Sequence, residues 1–127
     1  MNFMNKNKVV ITGGAGFIGS HLSEYLIKKN YQVVVIDNLS SGNMNNLPKG
    51  IKFYNFDISK KNKKFEKVFN NAKYVFHLAA LADIVPSIEN PQRYYDVNVT
   101  GTLNVIKACL KKKVKKIIYA ASSSCYG

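Results

Sequence analysis

The stretch Thr12-Gly13-Gly14-Ala15-Gly16-Phe17-Ile18-Gly19 contains Gly14-x-Gly16-x-x-Gly19 and, overlapping it, Gly13-x-x-Gly16-x-x-Gly19. It follows a β-branched apolar run, Lys8-Val9-Val10-Ile11-Thr12, and opens a segment of helical spacing over residues 17–30. Glycines here permit a tight turn, let a ligand approach the backbone, and allow a helix to pack closely on a strand. A helix starting at this point aims free N–H groups and its positive dipole end at an anion such as a pyrophosphate. A glycine pattern alone would say little; strand, turn and helix in that order point to a phosphate-binding βαβ unit.

The rest of the chain continues the alternation. In the first helix Ile18, Leu22, Tyr25 and Leu26 form an apolar stripe and Asn30 ends it. Residues 32–37 contain Val33-Val34-Val35-Ile36, a second buried strand closing on Asp37, and residues 38–50, with Gly42, Pro48 and Gly50, read as loop. A third strand is expected over 51–56, with Ser59 as N-cap of a lysine-rich helix carrying Phe65, Val68 and Phe69. Tyr74-Val75-Phe76-His77-Leu78 reads as the fourth strand and residues 79–89 as loop. Asn90-Pro91 then opens a long helix whose core stripe is Val99, Leu103, Ile106 and Leu110, and a last strand runs from Lys116 through Ile117-Ile118-Tyr119. Continuous apolar strands alternating with helices predict one α/β domain of Rossmann type, its parallel sheet ordered 3-2-1-4-5 with helices on both faces.

Asp37 stands 18 residues after Gly19, close to the ~20-residue offset of a carboxylate that binds the adenosine ribose hydroxyls. It favours NAD over NADP, because a 2′-phosphate would be repelled and no arginine lies in the following loop. The alternative is a carboxylate that only caps a turn. Asp57 ends the third strand in the same way and is open to the same two readings, adenine contact or turn former.

Composition excludes more than it assigns. The net charge of +12 comes from 19 basic residues among which Arg93 is the only arginine. Lysine runs at 60–67 and 111–116, with few aromatics between, read as solvated faces rather than a nucleic-acid surface. No apolar run approaches the ~20 residues of a membrane span, and Met1-Asn2-Phe3-Met4-Asn5-Lys6 lacks an apolar signal core. A soluble, cytoplasmic location is expected. Cys109 and Cys125 form no disulfide framework, and His21 and His77 have no partners at metal-ligand spacing. Ser122 has no His-Asp arrangement for acyl transfer, and Tyr25 to Lys29, the single Tyr-x-x-x-Lys, falls on the first helix with Tyr25 in its apolar stripe.

Six blocks in order make the chain resemble the extended short-chain dehydrogenase/reductases, specifically the NAD-dependent nucleotide-sugar epimerases and dehydratases of the UDP-glucose 4-epimerase type. They are residues 12–22, Asp37-Asn38-Leu39-Ser40-Ser41-Gly42, Asp57-Ile58, His77-Leu78-Ala79-Ala80, Asn98-Val99-Thr100-Gly101-Thr102 and Ser122-Ser123-Ser124-Cys125-Tyr126-Gly127. The resemblance implies that Gly13, Gly16 and Gly19 shape the turn and that Phe17 and Ile18 meet the pyrophosphate through their backbone. It places Asp37, Asn38, Ser40, Ser41 and Gly42 around the ribose and Asp57 and Ile58 beside the adenine. Leu78, Ala79, Ala80 and Ala82 would line the nicotinamide side, with Asn98 near the cofactor.

Ser122 matches the family's serine or threonine that hydrogen-bonds the reacting sugar hydroxyl; Ser123 is the fallback, and Ser124 completes the substrate-facing run. The implied mechanism withdraws a hydride from C4 of a UDP-hexose or its N-acetyl derivative and returns it to the other face, with a tyrosine as base and a lysine four residues later. That pair is expected a couple of dozen residues beyond Ser122, so these 127 residues read as the N-terminal, cofactor-binding part of such a protein, inactive as an isolated chain. A dehydratase is the nearest alternative, although that class places Asp-Glu where Ser123-Ser124 stand; a non-catalytic NAD-binding module is another. Related enzymes pair as homodimers through the long helix, where Tyr94 and Tyr95 fall.

Overall fold

The computed structural model describes residues 6–126; residues 1–5, which include most of the start read above, and Gly127 lie outside the described residues. Strands β1 (Lys8–Thr12), β2 (Gln32–Asp37), β3 (Lys52–Asn55), β4 (Ala72–His77) and β5 (Lys116–Tyr119) form one parallel sheet ordered β3-β2-β1-β4-β5. The architecture is the expected Rossmann-type α/β fold. Strand alternation sorts the apolar run of β1 into two layers. Val10 joins Val34, Ile36 and Val75 beneath Phe65, Phe69 and Val105 on one face, whereas Val9 and Ile11 join Val33, Val35 and Leu26 on the other. Burial on both sides explains why these strands are apolar without interruption.

Helix α1 (Phe17–Lys28) buries half of the stripe expected from periodicity, Leu26 in the core and Leu22 in part. It buries Gly19, Ser20, Ser23 and Leu26, while Ile18 and Tyr25 face outward. The helix sits so close to the sheet that small residues occupy the contact line, and the Ser23 hydroxyl satisfies itself by donating to the Gly19 carbonyl at 2.8 Å. Asn30 ends the helix as expected, in the left-handed region at φ +66, with the Tyr31 N–H donating to Leu26 O.

Helix α2 (Lys63–Val68) is capped by Asn62, whose Oδ1 accepts from the Lys64 N–H at 2.8 Å. Ser59 is not the cap, because its N–H and hydroxyl are both held by Asp57 Oδ1. A short helix, α3 (Ile84–Glu89), occupies part of the stretch read as loop. Asn90 then caps α4 (Pro91–Tyr95), which passes through a π-helical turn, Asp96–Gly101, into α5 (Thr102–Lys111).

This long helical run carries two apolar stripes, and the sheet takes the one with smaller residues. Gly101, Val105, Ala108 and Cys109 are buried, whereas Val99, Leu103, Ile106 and Leu110, expected in the core, stand 39% to 74% exposed. Gly101 shows why: a Cβ there would come within 2.7 Å of Ile58 Cγ1, so the helix approaches closer than a larger side chain permits. Burial also pushes the Cys109 thiol up to about 12.

Phe69, fully buried and edge-on to Phe65, is the largest core residue under this face. Phe69→Ala is expected to lower stability by about 3–5 kcal/mol, seen as a fall in the urea midpoint; an unchanged midpoint would show that the α2 layer does not anchor the sheet.

Candidate functional site

The glycine turn fits into the carboxyl edge of the sheet with no room to spare. Gly13 has φ +71 and donates its N–H to Ile36 O at 2.8 Å; a Cβ there would lie 2.7 Å from the Ala79 nitrogen. A Cβ on Gly14 would meet Val35 Cγ1 at 2.6 Å, and one on Gly19 would meet the Gly13 carbonyl oxygen at 2.3 Å. Gly16 differs: its nearest neighbour would be Gly13 O at 3.4 Å, so its outer side faces open space. Three glycines therefore serve packing, and the fourth leaves backbone accessible at the start of α1.

Asp37 is tied into this turn. Its Oδ2 accepts from the Ala15 N–H at 3.0 Å and its Oδ1 from the Leu39 N–H at 2.8 Å. Both readings of the residue are therefore compatible with the geometry, since each carboxylate oxygen keeps a further lone pair for a ligand hydroxyl. The Ala15 carbonyl accepts from the Asn43 N–H and from Asn46 Nδ2, both at 3.0 Å, which latches the loop after β2 onto the turn. Gly42 belongs to this latch, because a Cβ there would lie 2.9 Å from Ala15 Cβ. Asp57 is engaged by Ser59 as a turn former.

On the other side, β4 delivers a buried polar network. The Thr102 hydroxyl donates to Asn98 O at 2.7 Å, so at 2.8 Å it must accept from His77 Nε2–H. His77 Nδ1 is then bare and accepts from the Thr12 hydroxyl at 2.6 Å, and Thr12 Oγ1 accepts from the Ala79 N–H at 3.3 Å. Burial holds the His77 imidazole down to about 4, which keeps the ring neutral and Nδ1 an acceptor. Asn98 continues the network, accepting from the Leu81 N–H and donating to Leu81 O, each at 2.9 Å.

These elements enclose a cleft of about 390 Å³ along the carboxyl ends of β1, β2 and β4. Of the expected site residues, Gly13, Gly16, Asp37, Asn38, Ser40 and Ser41 line it from the turn and the β2 loop. Asp57 and Ile58 line it from β3, and Leu78, Ala79 and Ala80 from β4. Gly19, Gly42 and Asn98 act from behind the lining, through the contacts above. The side chains of Phe17 and Ile18 point to solvent, 79% and 69% exposed, and Ala82 is outside the lining. Ser122, Ser123 and Ser124 lie beyond β5, exposed and outside the lining of the cleft, with the Ser122 and Ser124 hydroxyls hydrogen-bonded to each other.

Sequence reasoning missed the far wall. Asn90, Gln92, Arg93, Asp96 and Val97, from α4 and the π-helical turn, also line the cleft. Only the N-cap signal at Asn90-Pro91 marked the start of this wall; which helix face looks into the cleft has no local signature. Among the described residues no group of three or more His, Cys, Asp or Glu could hold a metal ion, and no helix is long and apolar enough to cross a membrane.

The profile of the NAD dependent epimerase/dehydratase family matches residues 9–127. The chain belongs to this family. It is similar to the UDP-glucose 4-epimerase of Thermotoga maritima, solved with UDP-glucose (40% identity, TM-score 0.89, covering 94% of this chain and 40% of that one). It also resembles the Thermus thermophilus UDP-glucose 4-epimerase solved with NAD (39% identity, TM-score 0.84, covering 91% and 37%). A third relative has a different reaction in its name, the UDP-N-acetyl-alpha-D-glucosaminuronate decarboxylase of Bacillus cytotoxicus, 40% identical over 125 residues (96% of this chain, 38% of that protein). The family chain described here spans about two-fifths of the length of these relatives.

His77 also gives this family chain a pH signature. The unfolded chain takes up a proton as the pH falls through the ordinary 6.5, whereas the folded chain resists until about 4. Its contribution is full above the higher value and is lost across that window, by at most about 3 kcal/mol. Urea midpoints measured across that range should fall with pH in the wild type, and His77→Gln should flatten the fall; equal slopes would remove His77 from the account.

Proposed function

We propose that these residues form the NAD-binding domain of a nucleotide-sugar 4-epimerase, with UDP-hexose or UDP-N-acetylhexosamine as substrate. The observation that carries the reading is the convergence of the glycine turn, Asp37 and the Leu78-Ala79-Ala80 segment on one cleft at the carboxyl edge of the sheet. Here the chain order reverses between β1 and β4, the place where open α/β sheets bind ligands.

The donor set fits a dinucleotide. The open side of Gly16 and the first N–H groups of α1, including those of Phe17 and Ile18, suit the pyrophosphate. Asp37, already oriented by two amides, has acceptor capacity for the ribose hydroxyls, with Asn38, Ser40 and Ser41 beside it. Asp57 and Ile58 border the adenine end, and small residues at Ala79 and Ala80 leave space for the nicotinamide. When bound, NAD supplies a reversible hydride acceptor. The chain's own part is to orient it: the Asn98 clamp on Leu81 and the Thr12–His77–Thr102 network hold the strand-end loop against which the reactive ring would lie.

Ser122 is assigned to hydrogen-bond the reacting sugar hydroxyl, with Ser123 and Ser124 adjacent. No tyrosine–lysine pair beside the cleft occurs among these 127 residues, so they are proposed to supply the cofactor half of the site and not turnover by themselves. The exposed stripe Val99, Leu103, Ile106 and Leu110 supports pairing of two copies through the long helix. Similarity to a decarboxylase supports a cofactor half shared among reactions, and Ser123-Ser124 favour the epimerase over a dehydratase.

Calorimetric titration tests the cofactor assignment. Asp37→Ala should weaken NAD binding by about 10- to 100-fold, the loss of two hydrogen bonds to a charged acceptor, and the wild type should prefer NAD to NADP. Unchanged affinity would remove the ribose site. The intact mass of the endogenous protein tests the domain reading: a value well above 14.2 kDa is expected, and a match would favour a free-standing NAD-binding module.

A further inference from the structure

We propose that Arg93 stacks its guanidinium on the purine of the bound dinucleotide, closing the adenine end of the cleft. The inference rests on the cofactor reading above and adds a residue that reading does not use. Arg93, Val97 and Gly101 succeed one another at four-residue steps along the continuous helical run. The lowest, Gly101, is pressed against Ile58, and Val97 packs on the cluster that contains Ile58. Val97, four residues from Arg93, ties this part of the run to the Ile58 end of the cleft, and Arg93 lines the same cavity as Phe56, Asp57 and Ile58.

Among the described residues the ion pairs are Lys28–Glu24 and Lys111–Glu66, and no hydrogen bond involves the Arg93 side chain. The carboxylates nearby are engaged: Asp96 accepts from Gln92 Nε2 at 2.7 Å, Asp57 from Ser59, and Asp37 from Ala15 and Leu39. Among the described residues Arg93 is the one cation lining the cleft.

Position and chemistry favour the base over the phosphates. The phosphate-binding amides lie at Gly16 and the start of α1, whereas Arg93 overhangs the end bounded by Asp57 and Ile58. Of 19 basic residues this alone is an arginine, and only a guanidinium offers a planar, weakly hydrated cation that lies flat on an aromatic ring. Ile58 would form the floor of the slot and Arg93 its lid.

Titrating the full chain and its Arg93→Ala and Arg93→Lys variants with adenosine, AMP, nicotinamide mononucleotide and NAD decides the matter. Arg93→Ala should weaken adenosine, AMP and NAD by a common factor of about tenfold, leave nicotinamide mononucleotide unchanged, and be only partly rescued by lysine. Because the side chain is exposed, the melting temperature should not move. A loss confined to phosphate-bearing ligands and abolished by salt, with full rescue by lysine, would overturn stacking in favour of phosphate pairing. Unchanged affinities in a variant chain whose wild type binds NAD would overturn the inference alone. A wild type that binds neither NAD nor AMP would overturn the cofactor reading itself.

Discussion

Close approach of the glycine turn to β2, to the backbone that leaves β4 and to the start of α1 governs the rest of the structure. Gly13 presses on the backbone at Ala79, Gly14 on Val35, and Gly19 on the carbonyl of Gly13, with no space for a methyl group at any of the three. That contact seats α1 low on the sheet, which is why Gly19, Ser20 and Ser23 share its buried line with Leu26 while Ile18 and Tyr25 face outward. It also presents the remaining glycine, Gly16, and the helix start to the cleft. Overpacked cores relax by moving backbone, and here the backbone that would move is the site.

Around this turn the polar groups are cross-braced and not left for a ligand to organise. Asp37 joins the turn to the loop after β2, Asn43 and Asn46 hold the Ala15 carbonyl, and the Thr12–His77–Thr102–Asn98 chain ties β1 and β4 to the helical run and to Leu81. Among the described residues no buried side-chain nitrogen or oxygen lacks a partner, so the cleft is formed in advance and little ordering entropy remains for binding. Asp37 illustrates the economy: the same carboxylate caps a turn and keeps acceptor sites toward the cavity.

The outer surfaces are less finished. The stripe from Val99 to Leu110 on the long helix and the side chains of Ile84, Val85 and Ile88 on α3 remain in solvent, and β5 forms the open edge of the sheet. Isolated apolar residues on a surface are ordinary; Val99, Leu103, Ile106 and Leu110 instead fall in one helical stripe.

Sequence alone determined the strand–helix alternation, the strand order, the glycine turn and the carboxylate at the end of β2, because each is encoded locally: apolar runs, glycine spacing and a fixed offset along one βαβ unit. It misread what depends on distance between elements. Two stripes compete on the long helical run, and the choice falls on the small residues once Gly101 has to come within reach of Ile58, a contact no window of sequence contains. Asn98, expected near the cofactor, holds the Leu81 backbone with its amide, 17 residues away in sequence. Arg93 lines the cleft from α4. Periodicity reveals that a helix has faces; only tertiary packing decides which of them is buried, which is exposed, and which looks into the site.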